Sequence, residues 1–111
     1  MINKKIINIR KSLDKLDDKF LQLIKKRTSL VKEIVKNKKF KKDIVDKKRI
    51  NIILKNIKKK SISRKIDYKI TEKIWSSMIK AYIDYEFRKF KKKIIIYYVV
   101  VIFFQQKFRA F

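Results

Sequence analysis

KKIINIRKSLDKLDDKFLQLIKKRTSLVKEIVKNKK, residues 4–39, is the stretch from which the architecture follows. Its apolar residues recur at steps of three and four: Ile6, Ile9, Leu13, Leu16, Phe20, Leu23, then Leu30 and Ile34. That is the period of one helix face, and no Gly or Pro interrupts it. The spacing predicts a single helix from about residue 4 to about residue 39, on the order of 50 Å long. A compact chain of this size has a radius of gyration of only about 13–14 Å. The helix must overhang its own domain, and a second copy of the chain is the simplest cover for its apolar stripe.

Downstream, a lysine-rich connection from Lys39 to Val45 leads to Asp46, which has the chemistry of an N-cap. Ile50, Ile53, Leu54 and Ile57 then supply the buried face of a second helix. Lys58 to Ser63 reads as a polar joint. A third helix is expected from about Asp67 to about Lys91, with Ile70, Ile74 and Met78 beside Trp75, Ile79 and Ile83 on its inner side. Ile94 to Phe104 is an unbroken apolar run. As a helix it would cover about 17 Å, too little for a hydrocarbon core of about 30 Å. It can rest on an anionic membrane surface, pack on the helices, or be an extension under little selection. The expectation is an all-α chain of three helices, with a helical domain over 1–93 and an apolar tail over 94–111.

Composition removes several chemistries. The 111 residues include no Gly, Pro, Cys or His. That excludes a phosphate-cradling glycine loop, zinc sites of the usual kind, disulfides, and Ser-His or Cys-His nucleophile pairs. Tight hairpins lean on Gly, so a sheet-rich fold is disfavoured. The net charge of +24 raises the question of nucleic acid. Lys, Ile, Phe, Asn, Tyr and Met make up most of the chain, which an AT-rich coding sequence largely explains, and the lysines are spread along its whole length. Specific nucleic-acid binding is not expected. Met1-Ile2-Asn3-Lys4-Lys5 is followed by mixed residues and not by an apolar leader core, which favours a cytoplasmic location.

Charged residues on the apolar stripes are more informative. Arg27 falls between Leu23 and Leu30 where the rhythm asks for a hydrophobe. Lys38, eleven residues on, returns to nearly the same face about 16 Å along the axis. Glu86 continues the line Ile79, Ile83, Glu86, Phe90. A buried charge is costly unless paired or facing a ligand, so these residues form either an ion pair with Glu86 or a binding site. Arg10 lies about 25 Å from Arg27 along the same helix, so the two can meet only if a second chain brings its own Arg10.

Ile9-Arg10-Lys11-Ser12-Leu13-Asp14-Lys15-Leu16-Asp17, Leu21-x-Leu23-Ile24-x-x-Arg27 and Val31 to Lys38 together resemble the first helix of the all-helical (type II) chorismate mutases. Ile44-Val45-Asp46-Lys47-Lys48-Arg49 is similar to that family's loop and second-helix entry. Ile74-Trp75-x-x-Met78-Ile79-x-Ala81-Tyr82-Ile83-Asp84-Tyr85-Glu86 is similar to its third helix. The resemblance implies an intertwined homodimer that rearranges chorismate to prephenate in phenylalanine and tyrosine biosynthesis, with no metal or cofactor. Arg10 of one subunit and Arg27 of the other would hold the substrate carboxylates. Lys38 and a protonated Glu86 would donate to the ether oxygen as its bond breaks. Asp46 and Arg49 would line the entrance, and Tyr82 would stand where a small hydroxyl residue helps bind a carboxylate. Two positions depart from the family pattern: Tyr82 is larger than that residue, and Ile50 replaces a common acid after Arg49. The competing readings are an isochorismate-pyruvate lyase of the same fold and a basic helical nucleic-acid-binding protein.

Overall fold

The computed structural model describes residues 3–109, with the side chains at 104 and 107–109 left out of the description. Three helices account for nearly all of it: α1 (Lys4–Asn37), α2 (Lys47–Ser63) and α3 (Tyr68–Arg109), with a short 3₁₀ turn at Lys41–Asp43 between the first two. No strand occurs among the described residues. The fold is all-α, as the periodicity and the missing glycines imply.

The 34-residue α1 opens on Asn3, whose side chain accepts from the Lys5 backbone N–H. It ends at Lys38, which leaves the helix in extended backbone. The sequence reading puts Lys38 on the helix; in the structure it is the residue that stops it. The Lys93 ammonium reaches across from α3 and donates to the carbonyls of Lys36 (2.9 Å) and Lys38 (3.0 Å). A cation on the last carbonyls satisfies groups that have no partner inside the helix and opposes its negative end.

Asp46 caps α2 as expected, with its Oδ1 accepting from the Arg49 N–H at 3.0 Å. The expected joint at Lys58–Ser63 is instead helix. Lysine propagates a helix well, and Ser61 turns inward, donating to the Ile57 carbonyl (2.6 Å) and meeting Thr71 Oγ1 at 2.8 Å. The turn narrows to Arg64–Asp67. It closes with Ile66 N–H on the Ser61 carbonyl (2.8 Å) and Lys65 N–H on that of Ile62 (3.2 Å), the paired bonds of a Schellman ending. Lys65 holds the left-handed position, φ 54°, that glycine normally fills.

A further correction concerns length. α3 does not stop near Lys91 but runs through the apolar segment to Arg109, 42 residues in all. Nothing in that run breaks a helix, since it lacks Gly and Pro and follows three lysines. The described side chains from Ile94 to Phe103 are largely exposed, so the run does not fold back on the chain's own helices.

Both α1 and α2 pack on α3. Contacts ascend together along α1 and α3, from Thr28 with Tyr82, through Val35 with Phe90, to Lys36 with Lys93, so these helices run parallel. Val35, Ile44 and Phe90 form the buried apolar centre, with Ile83 and Phe87 packed against it. The rest of the α1 stripe is bare: Leu16 is 57% exposed and Leu23 65%. The radius of gyration is 21.2 Å, over extents of 77 × 35 × 19 Å. The chain exposes 10495 Å². A self-sufficient folded monomer of this mass would expose about 6,600 Å².

The strained turn yields a stability test. Lys65→Gly removes the left-handed penalty and keeps both closing bonds, so thermal or urea denaturation should show a gain of about 0.5–1 kcal/mol. A loss of stability would mean that the Lys65 side chain contributes more than its backbone costs.

Candidate functional site

A cleft of about 250 Å³ opens where the C-terminal half of α1, the start of α2 and the middle of α3 converge. Arg27 and Lys38 face it from α1, Asp46, Arg49 and Ile50 from the entry of α2, and Tyr82 and Glu86 from α3. Six of the seven residues expected in the site therefore line one cavity, although they span 60 positions of sequence. The seventh, Arg10, is exposed far back along α1 and does not line this cleft. Apolar side chains complete the wall, among them Val31, Ile34, Ile53, Ile79 and Ile83.

Local structure accounts for each placement. Arg27, one turn after Leu23, takes an inward helical position and is half-buried. Its guanidinium carbon lies 5.7 Å from the centre of the Tyr82 ring, an arrangement in which the ring's negative face attracts the cation. Its Nε is buried without a hydrogen-bond partner among the described residues. A buried donor left unpaired costs free energy, and here it belongs to a cation beside an open cavity.

Lys38 owes its place to the end of α1. Because the helix stops there, the side chain turns into the floor of the cleft. Its ammonium donates to Glu86 Oε1 at 3.0 Å and to the Ile44 carbonyl at 3.4 Å. The ion pair is well covered, with the Lys38 and Glu86 side chains 19% and 11% exposed. An ammonium carries three N–H donors, so one remains for a ligand.

Tyr82 differs most from its expected role. Its hydroxyl donates to the Ile24 carbonyl (3.3 Å) and lies 2.7 Å from Thr28 Oγ1, so it is held against α1. What it presents beside Arg27 is its ring. Asp46 spends one carboxylate oxygen on the α2 cap and keeps the other. Arg49 follows one turn into α2, exposed at the cleft rim, and Ile50 beside it adds an apolar wall.

Two further residues escape the sequence reading. Thr28 fixes the Tyr82 hydroxyl, and Lys93 braces the backbone on either side of the α1 terminus. Lys93 stands in a run of three lysines, so no sequence signal separates it from its neighbours. Thr28, adjacent to an inward arginine, is detectable only as a small polar residue at the edge of the buried face.

The cleft holds three cations, Arg27, Lys38 and Arg49, against two carboxylates, Asp46 and Glu86. It is a small, half-apolar, net positive cavity suited to an anion with an apolar body. No group of three or more potential metal ligands occurs among the described residues. No described helix is long and apolar enough to cross a membrane. Comparison with curated proteins and with solved structures gives no significant match. Residues 9–87, which include every residue of the cleft and Arg10 as well, match the family model described as Chorismate mutase type II, and the chain belongs to that family.

Proposed function

We propose that the protein is a chorismate mutase acting as a homodimer, each cleft completed by Arg10 of the partner subunit. The observation that carries this reading is the convergence of Arg27, Lys38, Asp46, Arg49 and Glu86 on one cavity in a chain of this family. The substrate is a dicarboxylate and the reaction is an internal bond exchange, so the protein must hold one conformer and stabilise charge as it develops.

Charge matching supports the assignment. The cleft alone carries one net positive charge from the side chains that line it. A second arginine from the partner adds a further positive charge, the sign that a dicarboxylate requires. Arg27 faces the cleft and binds one carboxylate through its guanidinium. The free donor of Lys38 meets the ether oxygen, and Glu86, in its protonated form, donates to the same atom. Tyr82 acts through Arg27, its ring fixing the plane from which the guanidinium approaches the substrate.

The surface excess supports the dimer. The chain exposes roughly 3,900 Å² more than a compact monomer of its mass, surface available to a partner. The bare α1 stripe contributes to it, and Arg10 is exposed on the same helix.

Incubating the purified protein with chorismate should yield prephenate, with isochorismate as the parallel substrate; release of pyruvate from isochorismate alone would favour a lyase. Lys38→Met and Glu86→Ala should each lower kcat by about 10²-fold or more, the scale for losing a donor to developing negative charge. Glu86→Gln, which keeps a donor N–H, should retain more activity than Glu86→Ala. Equal losses in both Glu86 variants would assign that residue a structural role as the partner of Lys38.

Subunit sharing has its own test. Arg10→Ala and Arg27→Ala chains, each inactive, should regain activity when mixed and refolded, because one cleft of the heterodimer then carries both lesions and the other neither. No recovery in demonstrated heterodimers would place Arg10 outside the site.

A further inference from the structure

The distal part of α3 poses a problem that the cleft does not. From Ile94 onward ten consecutive described residues are Ile, Tyr, Val or Phe, and Tyr97 is 66% exposed. Successive helical residues turn by about 100°, so this segment is apolar on every side and not along one stripe. A facing helix covers one stripe only. A second copy laid against the segment would leave its other sides in water, whereas hydrocarbon surrounds it completely.

Length and charge narrow the occupant further. The apolar run, 94–104, measures about 17 Å, roughly half a bilayer's hydrocarbon thickness. That is too short to cross a bilayer, and no described helix is long and apolar enough to do so. No Asp or Glu follows Glu86, and basic residues flank the run, Lys91 and Lys92 before it and Lys107 and Arg109 after it. At its base lies an apolar groove floored by Phe87, Phe90 and Ile94 and rimmed by Lys41, Arg88 and Lys91. Lys93 does not belong to this collar, because its ammonium is held by α1.

We propose that residues 94–104 seat the protein on an anionic lipid surface. The helix lies below the headgroups of one leaflet, with Lys91 and Lys92 at its base reaching the headgroup phosphates. The placement is independent of the catalytic reading, since no residue of the segment lines the cleft.

A chain of net charge +24 adsorbs to anionic surfaces by charge alone, so the test separates insertion from adsorption. The full-length protein is sedimented with vesicles of phosphatidylcholine containing a minor share of phosphatidylserine, and with phosphatidylcholine alone. Salt is low or about 0.5 M, where screening acts within about 4 Å. The comparison is the Ile96→Asn/Val100→Asn chain, which keeps the net charge. The intact chain should stay on the anionic vesicles at high salt, and the variant's partition should fall by about tenfold or more. As a second measurement that does not require the variant to fold, Tyr98→Trp in a Trp75→Phe background supplies a single indole within the segment. Its emission should shift to the blue and be quenched by brominated lipid. Equal salt release of both chains, or an indole at position 98 that brominated lipid does not quench, overturns the proposal. So does failure to bind vesicles together with a tail-dependent rise in mass by light scattering, which would make a second copy the occupant.

Discussion

One ammonium holds three parts of this molecule together. Lys38 marks the end of α1, donates to the Ile44 carbonyl in the connecting segment and pairs with Glu86 on α3 at 3.0 Å. Around that point lie the buried apolar residues, Val35 from α1, Ile44 from the connection and Phe90 from α3. Lys93 closes the arrangement by taking the carbonyls of Lys36 and Lys38. Without the pair, Glu86 would be a carboxylate only 8% exposed with no counter-charge, the costliest arrangement for an acid in a helix interface. The floor of the cleft and the joint of the fold are the same few atoms. Substitution at Lys38 or Glu86 therefore disturbs both, and activity must be compared between folded proteins.

The apolar centre is too small to stabilise 111 residues by itself. Chain entropy costs on the order of 1–2 kcal/mol per ordered residue. Three buried hydrophobes with two partly buried neighbours offset little of that. In the proposed reading the missing stabilisation comes from surface that the single chain leaves exposed, the α1 stripe included. In the proposed dimer, folding and association become one process, with a stability that depends on protein concentration. Arg10 is exposed on the same helix, so in that dimer the contact that stabilises the fold would also deliver the last cation to the cleft. The proposed dimer would link the length of α1 to catalysis, because a helix confined to its own domain could not carry Arg10 to a second cleft.

How much of this is legible in the sequence depends on the range of the interaction concerned. Long uninterrupted periodicity exposes α1, and the Asp46 cap exposes the start of α2, because both signals are local. Arg27, Lys38 and Glu86 stand out as charges on apolar stripes, and the structure brings all three to one cleft. Lys58–Ser63 misleads because polarity there looks like a break, whereas lysines only require water on their side of a helix. The continuation of α3 is hidden for the opposite reason: an apolar run with no polar face gives no helical period to read. The Tyr82 hydroxyl cannot be placed at all from sequence, since its direction depends on Thr28, 54 positions away.

Tyr82 and Ile50 also bear on how such a cleft would hold its substrate. A small hydroxyl at position 82 would offer the ligand a neutral hydrogen bond; Tyr82 instead uses its hydroxyl on α1 and gives Arg27 a ring. An acid at position 50 would give a ring hydroxyl an acceptor; Ile50 gives it an apolar wall. Both changes remove neutral or negative contacts and leave the cations in place. In the proposed reading, recognition then rests on carboxylate–guanidinium pairing and shape, and less on contacts to the substrate's hydroxyl group. Charge pairing of that kind orients a dicarboxylate well and discriminates poorly between ring isomers that place their carboxylates alike. The cations are what a mutase and a related lyase both need, and the contacts missing here are among those by which one ring is told from another. Whatever selectivity the cleft has must come from its apolar walls and from the line between Lys38 and Glu86, which fixes where a breaking bond has to lie.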